Sequence, residues 1–211
     1  MKKSKYIDHT LLKPEATREQ IAKLCDQAVE HDFRTVCVNP YWVSFCADRL
    51  KDSDVGICTV IGFPLGASTS KVKAMETEEA VASGADEVDM VMNIGELKAK
   101  NYEAVLEDMK AVVQAAAGRT VKVIIETCLL TDDEIRQASE LCVQAGADFV
   151  KTSTGFSTAG ANVHVVEVIK EAVGDRALIK AAGGVRSPED MDNMIQAGAD
   201  RIGTSRGTSL I

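Results

Sequence analysis

The stretch that decides the fold is "GADFVKT", residues 146–152, because close copies of it occur twice more in the chain. The copies are "GADEVDM" at 84–90 and "GADRIGT" at 198–204, and in each a glycine closes a helix-like segment just before an apolar strand. A repeated passage from helix to strand predicts a fold in which the two alternate. The third residue after the aspartate is polar or small in every copy: Asp89, Lys151 and Gly203.

Short apolar runs recur along the whole chain, and amphipathic helix-like segments such as "TREQIAKLCDQAVEHD", "YEAVLEDMKAVVQAAAG", "DDEIRQASELCVQAGAD" and "SPEDMDNMIQAGAD" separate them. The runs are "YIDHTLL", "TVCVNP", "ICTVIGFP", "EVDMVMNIG", "VKVIIET", "FVKTSTGF", "LIKAAGGV" and "RIGTSRG". Such alternation is typical of a parallel sheet covered by helices, either open and doubly wound or closed. Eight units favour a (β/α)8 TIM barrel, formed by residues 1–211 as a single domain, with a short or missing final helix.

The amino-acid composition limits the kinds of molecule that the protein is expected to bind. With 45% hydrophobic residues the chain can form a sizeable core, and its net charge of -8 argues against a nucleic-acid or anionic-membrane surface. We expect a small-molecule ligand and a cytoplasmic location, because no apolar run reaches membrane-spanning length and no signal peptide precedes the first strand. The six cysteines form no C-x-x-C pair, so we expect reduced thiols in the core, and the sequence leaves open whether a homo-oligomer forms.

Barrel enzymes build their sites at the carboxyl ends of the strands. The repeat predicts that Asp89 and Lys151 lie at similar depth near that rim. Other strands add further residues to the same rim: Asp8, Cys37, Glu126, Lys180 and the "GTSRG" turn.

Lys151 stands out because it lies in a short buried strand, where an ammonium is costly unless it is paired or neutral. A lysine attacks a carbonyl only as the neutral amine, and a second cation about 4 Å away favours that form. Lys180, on the next strand, is the candidate second cation, and burial acts in the same direction. The spacing leaves a structural alternative open, in which Lys151 forms an ion pair with Asp89 or Asp8.

The carboxylates and Cys37 each have two interpretations. Asp89 suits proton transfer during imine chemistry, but it would also serve as an ion-pair partner of Lys151 or Lys180. Asp8 either orients Lys180 or binds a substrate hydroxyl, with a local hydrogen bond as the alternative. Cys37 either lines the pocket or belongs to the core.

Three glycine-rich turns indicate a phosphate site, since their backbone N–H groups can converge on an anion at the last strands of a barrel. They are "STG" at 153–155, "GGVR" at 183–186 and "GTSRG" at 203–207, where Ser205 and Arg206 add donors. The motifs of nicotinamide, nucleotide triphosphate and zinc-protease sites are missing, and the three histidines lack the spacing of a metal cluster. We therefore expect neither a metal nor another cofactor.

At "YIDHTLLKP", "TVCVNP", "IGFPLG", "EVDMVMNIG", "KVIIET", "FVKTSTGF", "IKAAGGVR" and "RIGTS", from about residue 5 to 207, the sequence resembles the deoxyribose-phosphate aldolase family of class I aldolases. The resemblance implies reversible cleavage of 2-deoxy-D-ribose 5-phosphate to acetaldehyde and D-glyceraldehyde 3-phosphate, through a lysine Schiff base and without a metal. Another imine-forming phospho-sugar aldolase and a non-catalytic phospho-ligand-binding barrel are the alternatives.

Carried onto this chain, the resemblance implies that Lys151 is the Schiff-base lysine, Lys180 its cationic activator and Asp89 the proton-transfer carboxylate. The positions that match substrate or phosphate contacts are Asp8, Cys37, Gly155, Gly183, Gly184, Gly203 and Ser205. Two positions differ from some relatives: Phe156 replaces a lysine and Arg206 replaces a serine.

Overall fold

The structure, a computed structural model, describes residues 2–211. Its eight parallel strands form a closed barrel in which each strand pairs with the next and β8 returns to β1. The predicted TIM barrel is therefore confirmed, and the open-sheet alternative is excluded. The strands are β1 (Ile7–Leu11), β2 (Thr35–Val38), β3 (Gly56–Ile61), β4 (Glu87–Val91), β5 (Thr120–Ile124), β6 (Phe149–Lys151), β7 (Leu178–Ala182) and β8 (Arg201–Thr204).

Helices connect successive strands and pack their apolar faces against the outside of the barrel, where the main hydrophobic core lies. They are α1 (Arg18–Glu30), α2 (Val43–Leu50), α3 (Ser70–Ala82), α4 (Ile94–Lys98), α5 (Tyr102–Ala115), α6 (Asp132–Ala145), α7 (Val163–Val173) and α8 (Pro188–Gln196). Capping boxes begin α1 at Thr17 and α6 at Thr131, as the polar residues before these segments predict. Within residues 2–211, the helices all fall short of the length and apolarity that a membrane span requires.

The "GAD" repeat fixes the register of the barrel. Its glycine turns the chain out of the preceding helix with a positive φ, of 107°, 81° and 112° at Gly84, Gly146 and Gly198. Its aspartate then accepts the backbone N–H of a residue near the start of the preceding strand. The pairs are Asp86 with Ile57 (2.9 Å), Asp148 with Val121 (2.8 Å) and Asp200 with Ile179 (3.0 Å). These bonds fix β4 on β3, β6 on β5 and β8 on β7 at the amino-terminal end of the barrel.

The third residue after each repeat aspartate lies in the barrel interior, which explains why it is polar or small. Asp89 and Lys151 are buried there and bonded to each other. At the equivalent place on β8, a side chain on Gly203 would meet Lys180 Cε at 3.0 Å. Gly203 is therefore small because the lysine of the neighbouring strand passes over it.

The segment after β8 is a short 3-10 turn, Gly207–Ser209, so the expected short or missing final helix holds for the described residues. This turn lies against β1 and the α1–β2 connection. A side chain on Gly207 would meet His9 Nδ1 at 2.9 Å and carbon atoms of Ile7 and Phe33 at 3.1 Å. The turn thus covers the barrel wall beside β1.

Candidate active site

The centre of the site is the carboxylate of Asp89, which is completely buried. Its Oδ2 accepts hydrogen bonds from Lys151 Nζ and Lys180 Nζ, both at 2.7 Å. Its Oδ1 accepts from Lys122 Nζ at 2.8 Å and from Cys58 Sγ at 3.1 Å. The two oxygens of one carboxylate therefore serve two different sets of donors.

Lys151 and Lys180 are direct register partners on β6 and β7. Since both ammonium groups donate to the same oxygen of Asp89, their nitrogens lie close together. Asp8 contacts Lys180 with its Oδ2 at 2.5 Å. The arrangement includes the ion pair of the structural alternative, and it also includes the second cation that the reactive interpretation requires.

A deeper layer of charges lies beneath these residues. Arg201 donates to Asp8 Oδ1 at 2.8 Å and to Glu87 Oε2 at 3.1 Å, and Lys122 contacts the same Glu87 oxygen at 2.6 Å. Thr35 donates its hydroxyl to Asp8 Oδ1 at 2.8 Å. We call the connected set of buried charged residues the barrel network: Asp8, Glu87, Asp89, Lys122, Lys151, Lys180 and Arg201. The exposed Arg34 approaches Glu87 from outside this set, at 3.9 Å.

Electrostatics keep most of the barrel network ionised. Burial by itself raises the pKa of Asp89, but Lys122, Lys151 and Lys180 outweigh it and hold that pKa well below its usual range. Burial by itself lowers the pKa of Lys180, but Asp8 and Asp89 outweigh it and the pKa is raised. The same balance lowers the pKa of Asp8 and raises that of Lys122.

The barrel network contains four cationic side chains and three carboxylates. One proton can therefore leave a lysine without leaving any carboxylate uncompensated. Within the described residues, Lys151 is the one member of the network that lines the large cavity at the carboxyl ends of the strands. The surplus positive charge and the access to ligand thus coincide at this lysine.

The cavity has a volume of about 610 Å³ and lies between the ends of β1, β6, β7 and β8. All five residues expected at phosphate contacts line it together with Lys151: Gly155, Gly183, Gly184, Gly203 and Ser205. Three basic side chains, Lys13, Arg186 and Arg206, line the same cavity. Backbone donors and positive charge therefore share one pocket, which suits an anionic group.

Close backbone contact shapes this end of the cavity. Gly183 has a positive φ of 75°, and a side chain on Gly160 would lie 2.3 Å from the carbonyl carbon of Gly183. Ala161 donates its N–H to the oxygens of Ala182 and Gly183 at 3.0 and 2.9 Å. The loop after β6 therefore lies directly against the loop after β7, and the sequence did not single out Gly160 for this role.

Asp8 and Cys37 do not line this cavity, although the sequence places both at the rim. Asp8 is covered because its oxygens are occupied by Lys180, Arg201 and Thr35. Cys37 is fully buried because it packs in a small apolar cluster inside the barrel. That cluster contains Leu12, Cys37, Cys58 and Val60, with Phe63 against it.

The mouth of the site carries an apolar wall and a separate carboxylate. The rings of Phe63 and Phe156 meet edge to face, with centroids 5.2 Å apart, and Phe156 lines the cavity. Glu126 is buried near the rim, but its Oε1 accepts the Thr154 N–H at 3.2 Å, and it has no contact with the barrel network. Glu126 therefore orders the loop after β6.

Two groups of buried side chains have donor atoms close enough to hold a metal ion: Cys37, Cys58 and Asp89, and Asp8, Cys58 and Glu87. Lys122 Nζ lies 2.8 Å from Asp89, 3.4 Å from Cys58 and 2.6 Å from Glu87. A fixed ammonium at these atoms opposes a second cation, so the donor sets suit an ion network better than a metal.

Sequence reasoning missed three members of the barrel network, Lys122, Glu87 and Arg201, and also the Cys58 thiol that contacts Lys122 and Asp89. Lys122 had the same signal as Lys151, a lysine between apolar residues of a buried strand, in "VKVIIET". Glu87 and Arg201 directly follow the repeat aspartates, two residues before inward-facing positions, and strand alternation turns both inward. The sequence thus predicted four of the seven members of the barrel network: Asp8, Asp89, Lys151 and Lys180.

The fold and the site together define a TIM barrel with a lysine-bearing, anion-suited cavity at the carboxyl ends of its strands. Comparison with known proteins identifies the kind of TIM barrel, because residues 3–210 match the family described as DeoC/LacD family aldolase. A "Deoxyribose-phosphate aldolase 1" from Mesoplasma florum is 60% identical over 211 residues, which cover 100% of this chain and 96% of the relative.

Solved structures agree with that match. The aldolase QR15 is 42% identical with a TM-score of 0.96, covering 100% of this chain and 94% of its own. A tetrameric deoxyribose phosphate aldolase from Aeropyrum pernix is 34% identical with a TM-score of 0.92, covering 99% and 88%. The chain belongs to the DeoC/LacD aldolase family.

Proposed function

We propose that this chain is a deoxyribose-phosphate aldolase, which reversibly cleaves 2-deoxy-D-ribose 5-phosphate to acetaldehyde and D-glyceraldehyde 3-phosphate. The observation that carries the proposal is that Lys151, in a network with one surplus cation, reaches the cavity where the predicted phosphate contacts lie. Family membership and the names of full-length relatives support the choice of substrate.

In the proposed reaction, the neutral amine of Lys151 attacks C1 of the open-chain sugar, and loss of water gives an iminium ion. The Lys180 ammonium favours the neutral amine because two adjacent positive charges repel each other. Asp89 accepts and returns protons during addition and dehydration, since its Oδ2 lies 2.7 Å from Lys151 Nζ.

Cleavage then follows from the electron demand of the iminium ion. The C3 hydroxyl loses its proton, the C2–C3 bond breaks, and its electron pair forms the enamine between C1 and C2. C3 becomes the aldehyde carbon of D-glyceraldehyde 3-phosphate. Protonation of the enamine at C2 and addition of water release acetaldehyde and regenerate Lys151, and each step is reversible.

The phosphate is proposed to bind at the glycine turns, far from the bond that breaks. Gly155, Gly183, Gly184, Gly203 and Ser205 surround it, and Arg186, Arg206 and Lys13 add positive charge. Remote binding of this kind fixes the reacting carbons, so a substrate without phosphate loses rate as well as affinity. Asp8 and Cys37 act from beneath the cavity, Asp8 by orienting Lys180.

The test is reductive trapping combined with product analysis. Purified protein is given 2-deoxy-D-ribose 5-phosphate and release of acetaldehyde is measured. Borohydride is then added with acetaldehyde, and the ethylated residue is mapped by mass spectrometry. We expect acetaldehyde release and ethylation of Lys151; an adduct confined to Lys180 contradicts the assigned roles. Release of dihydroxyacetone phosphate from a longer phospho-sugar indicates the other imine-forming aldolase, and stabilisation by phospho-sugars without turnover indicates a binding barrel.

We also propose a cytoplasmic location and self-association. The six cysteines are free thiols in the structure, as suits a reducing compartment. Self-association is supported by the tetrameric relative from Aeropyrum pernix and by the exposed apolar side chains Leu65, Val72 and Met75. Light scattering of the purified chain tests the second proposal, with a monomer at micromolar concentration contradicting it.

A further inference from the structure

Lys122 is a member of the barrel network to which neither the motifs nor the proposed reaction assigns a role. It lies on β5, its side chain is fully buried, and it does not line the cavity. Charged and titratable groups face it from β1, β3, β4, β7 and β8: Asp8, Cys58, Glu87, Asp89, Lys180 and Arg201. Its contact distances are 2.6 Å to Glu87, 2.8 Å to Asp89, 3.4 Å to Cys58 and 3.9 Å to Asp8.

The first effect of Lys122 is on the orientation of Asp89. Lys122 and Cys58 occupy Oδ1, which leaves Oδ2 to Lys151 and Lys180. If Lys122 were removed, the carboxylate would lose its charged donor on the deep side and could rotate toward Lys180. The hydrogen bond between Asp89 and Lys151 would then no longer be fixed.

The second effect is on charge. The network has four cations against three carboxylates because Lys122 is one of the four. Without it, three carboxylates would face three cations, and Lys151 would have to keep its proton to balance them. Lys122 therefore acts in the same direction as Lys180, although it does not touch Lys151.

We propose that Lys122 is a positioning residue for the aldol reaction: it fixes Asp89 and supplies the positive charge that lets Lys151 lose its proton. The inference rests on the proposed function. Groups that face Lys151 directly are Asp89, Lys180 and the thiol of Cys37, and none of these is altered in the variants that test it.

The experiment measures kcat/KM for 2-deoxy-D-ribose 5-phosphate as a function of pH. We compare the unmodified protein with Lys122→Met and Lys122→Arg. For Lys122→Met we expect the acid limb of this pH profile to move about 2 pH units upward, the shift for a cation roughly 5–6 Å away at an effective dielectric of ~20. At pH 7 this gives a loss of roughly 100-fold that shrinks at alkaline pH. Lys122→Arg keeps the charge, so its limb stays near that of the unmodified protein.

Two further variants separate this role from a structural one. Lys73→Met removes another completely buried, ion-paired lysine, outside the network, and we expect it to lower stability without moving the limb. Glu87→Gln removes a carboxylate that contacts Lys122, so we expect its limb to move downward. This opposite shift tests the proposal even if Lys122→Met does not fold.

Three results would each overturn the inference. The first is an acid limb that does not move in Lys122→Met, and the second is an equal shift in Lys73→Met. The third is an acid limb that stays in place or moves upward in Glu87→Gln. If the unmodified protein turns over the substrate and any of these results is found, the role of Lys122 is rejected and the proposed function stands. Absence of turnover by the unmodified protein removes the proposed function as well.

Discussion

Two sites in this molecule bury lysines against carboxylates, and their difference shows what distinguishes a reactive lysine from a structural one. Between α3 and α5, Lys73 Nζ contacts Asp108 Oδ2 at 2.5 Å and donates to the Val91 carbonyl at 2.8 Å. Burial lowers the pKa of Lys73 and outweighs the opposing effect of Asp108. In the barrel interior, Lys151 contacts Asp89 at 2.7 Å.

The two lysines are equally well paired and almost equally buried, with exposures of 0% for Lys73 and 3% for Lys151. Burial and pairing therefore do not identify the reactive one. What differs is that Lys73 balances a single carboxylate and lines no described cavity, whereas Lys151 belongs to a set with one surplus cation and opens to the ligand. A surplus of positive charge and access to the cavity therefore distinguish the reactive lysine from the structural one.

The largest test of this comparison is Lys151→Ala. We expect turnover to fall by roughly 10⁴-fold or more, since the nucleophile is removed. The fold should remain, because Asp89 keeps its contacts with Lys122 and Lys180. Measurement of kcat and of thermal unfolding checks both parts, with Lys73→Met as the control. Turnover within tenfold of the unmodified protein would contradict the assignment.

Lys180→Leu tests the contribution of the adjacent cation. The pKa of Lys180 is raised by Asp8 and Asp89 against the effect of burial, so it remains a cation throughout the working pH range. Without it a larger share of Lys151 stays protonated, and we expect roughly 10²–10³-fold lower kcat/KM at pH 7. The loss should shrink as pH rises, because alkali removes the proton instead. A loss that is the same at every pH argues for damage to the fold.

Lys73→Met tests the same comparison through stability, where the structural lysine should matter more than the reactive one. Removal of one partner of a buried pair leaves Asp108 uncompensated, and we expect the free energy of unfolding to fall by about 3–5 kcal/mol. Lys151→Ala should cost much less, since it leaves three carboxylates and three cations in the network. Urea unfolding of both variants measures the difference. A larger loss in Lys151→Ala would mean that Lys151 is mainly structural.

Ser205→Ala gives the smallest expected effect and tests the far end of the cavity. If the Ser205 hydroxyl donates to the substrate phosphate, its loss should raise KM for the phosphorylated sugar by about tenfold, the lower end of the contribution of a hydrogen bond to a charged group. The KM for unphosphorylated 2-deoxyribose should not change. Steady-state kinetics with both sugars provide the measurement, and equal changes for both would remove Ser205 from the phosphate site.

Much of the fold could be predicted from the sequence, because each strand is a short apolar run and the "GAD" repeat marks three passages from helix to strand. The pairing of Lys151 with Lys180 could be anticipated, since adjacent strands bring residues of equal depth together. The deeper charges of the barrel network were harder to predict from the sequence. Lys122, Glu87 and Arg201 are single charged residues on three strands, and only closure of the barrel brings them together.

The burial of Cys37 also depends on three-dimensional packing. Leu12 directly follows β1, whereas Val60 lies in β3 and Phe63 just after it, so their packing around the thiol is not visible in the "TVCVNP" motif. In contrast, the glycines of the cavity could be found from sequence because each turn carries its own local signal.

The three aspartate-to-backbone bonds near Ile57, Val121 and Ile179 lie at the opposite end of the barrel from the cavity. Strand alignment is thus secured by residues that never meet a ligand. Protein engineers seeking a broader substrate range can therefore exchange the loops after β1, β6, β7 or β8 without touching these aspartates. Such redesign is limited at two glycines: Gly160, where a side chain would collide with the backbone of Gly183, and Gly203, where any larger residue would push against Lys180.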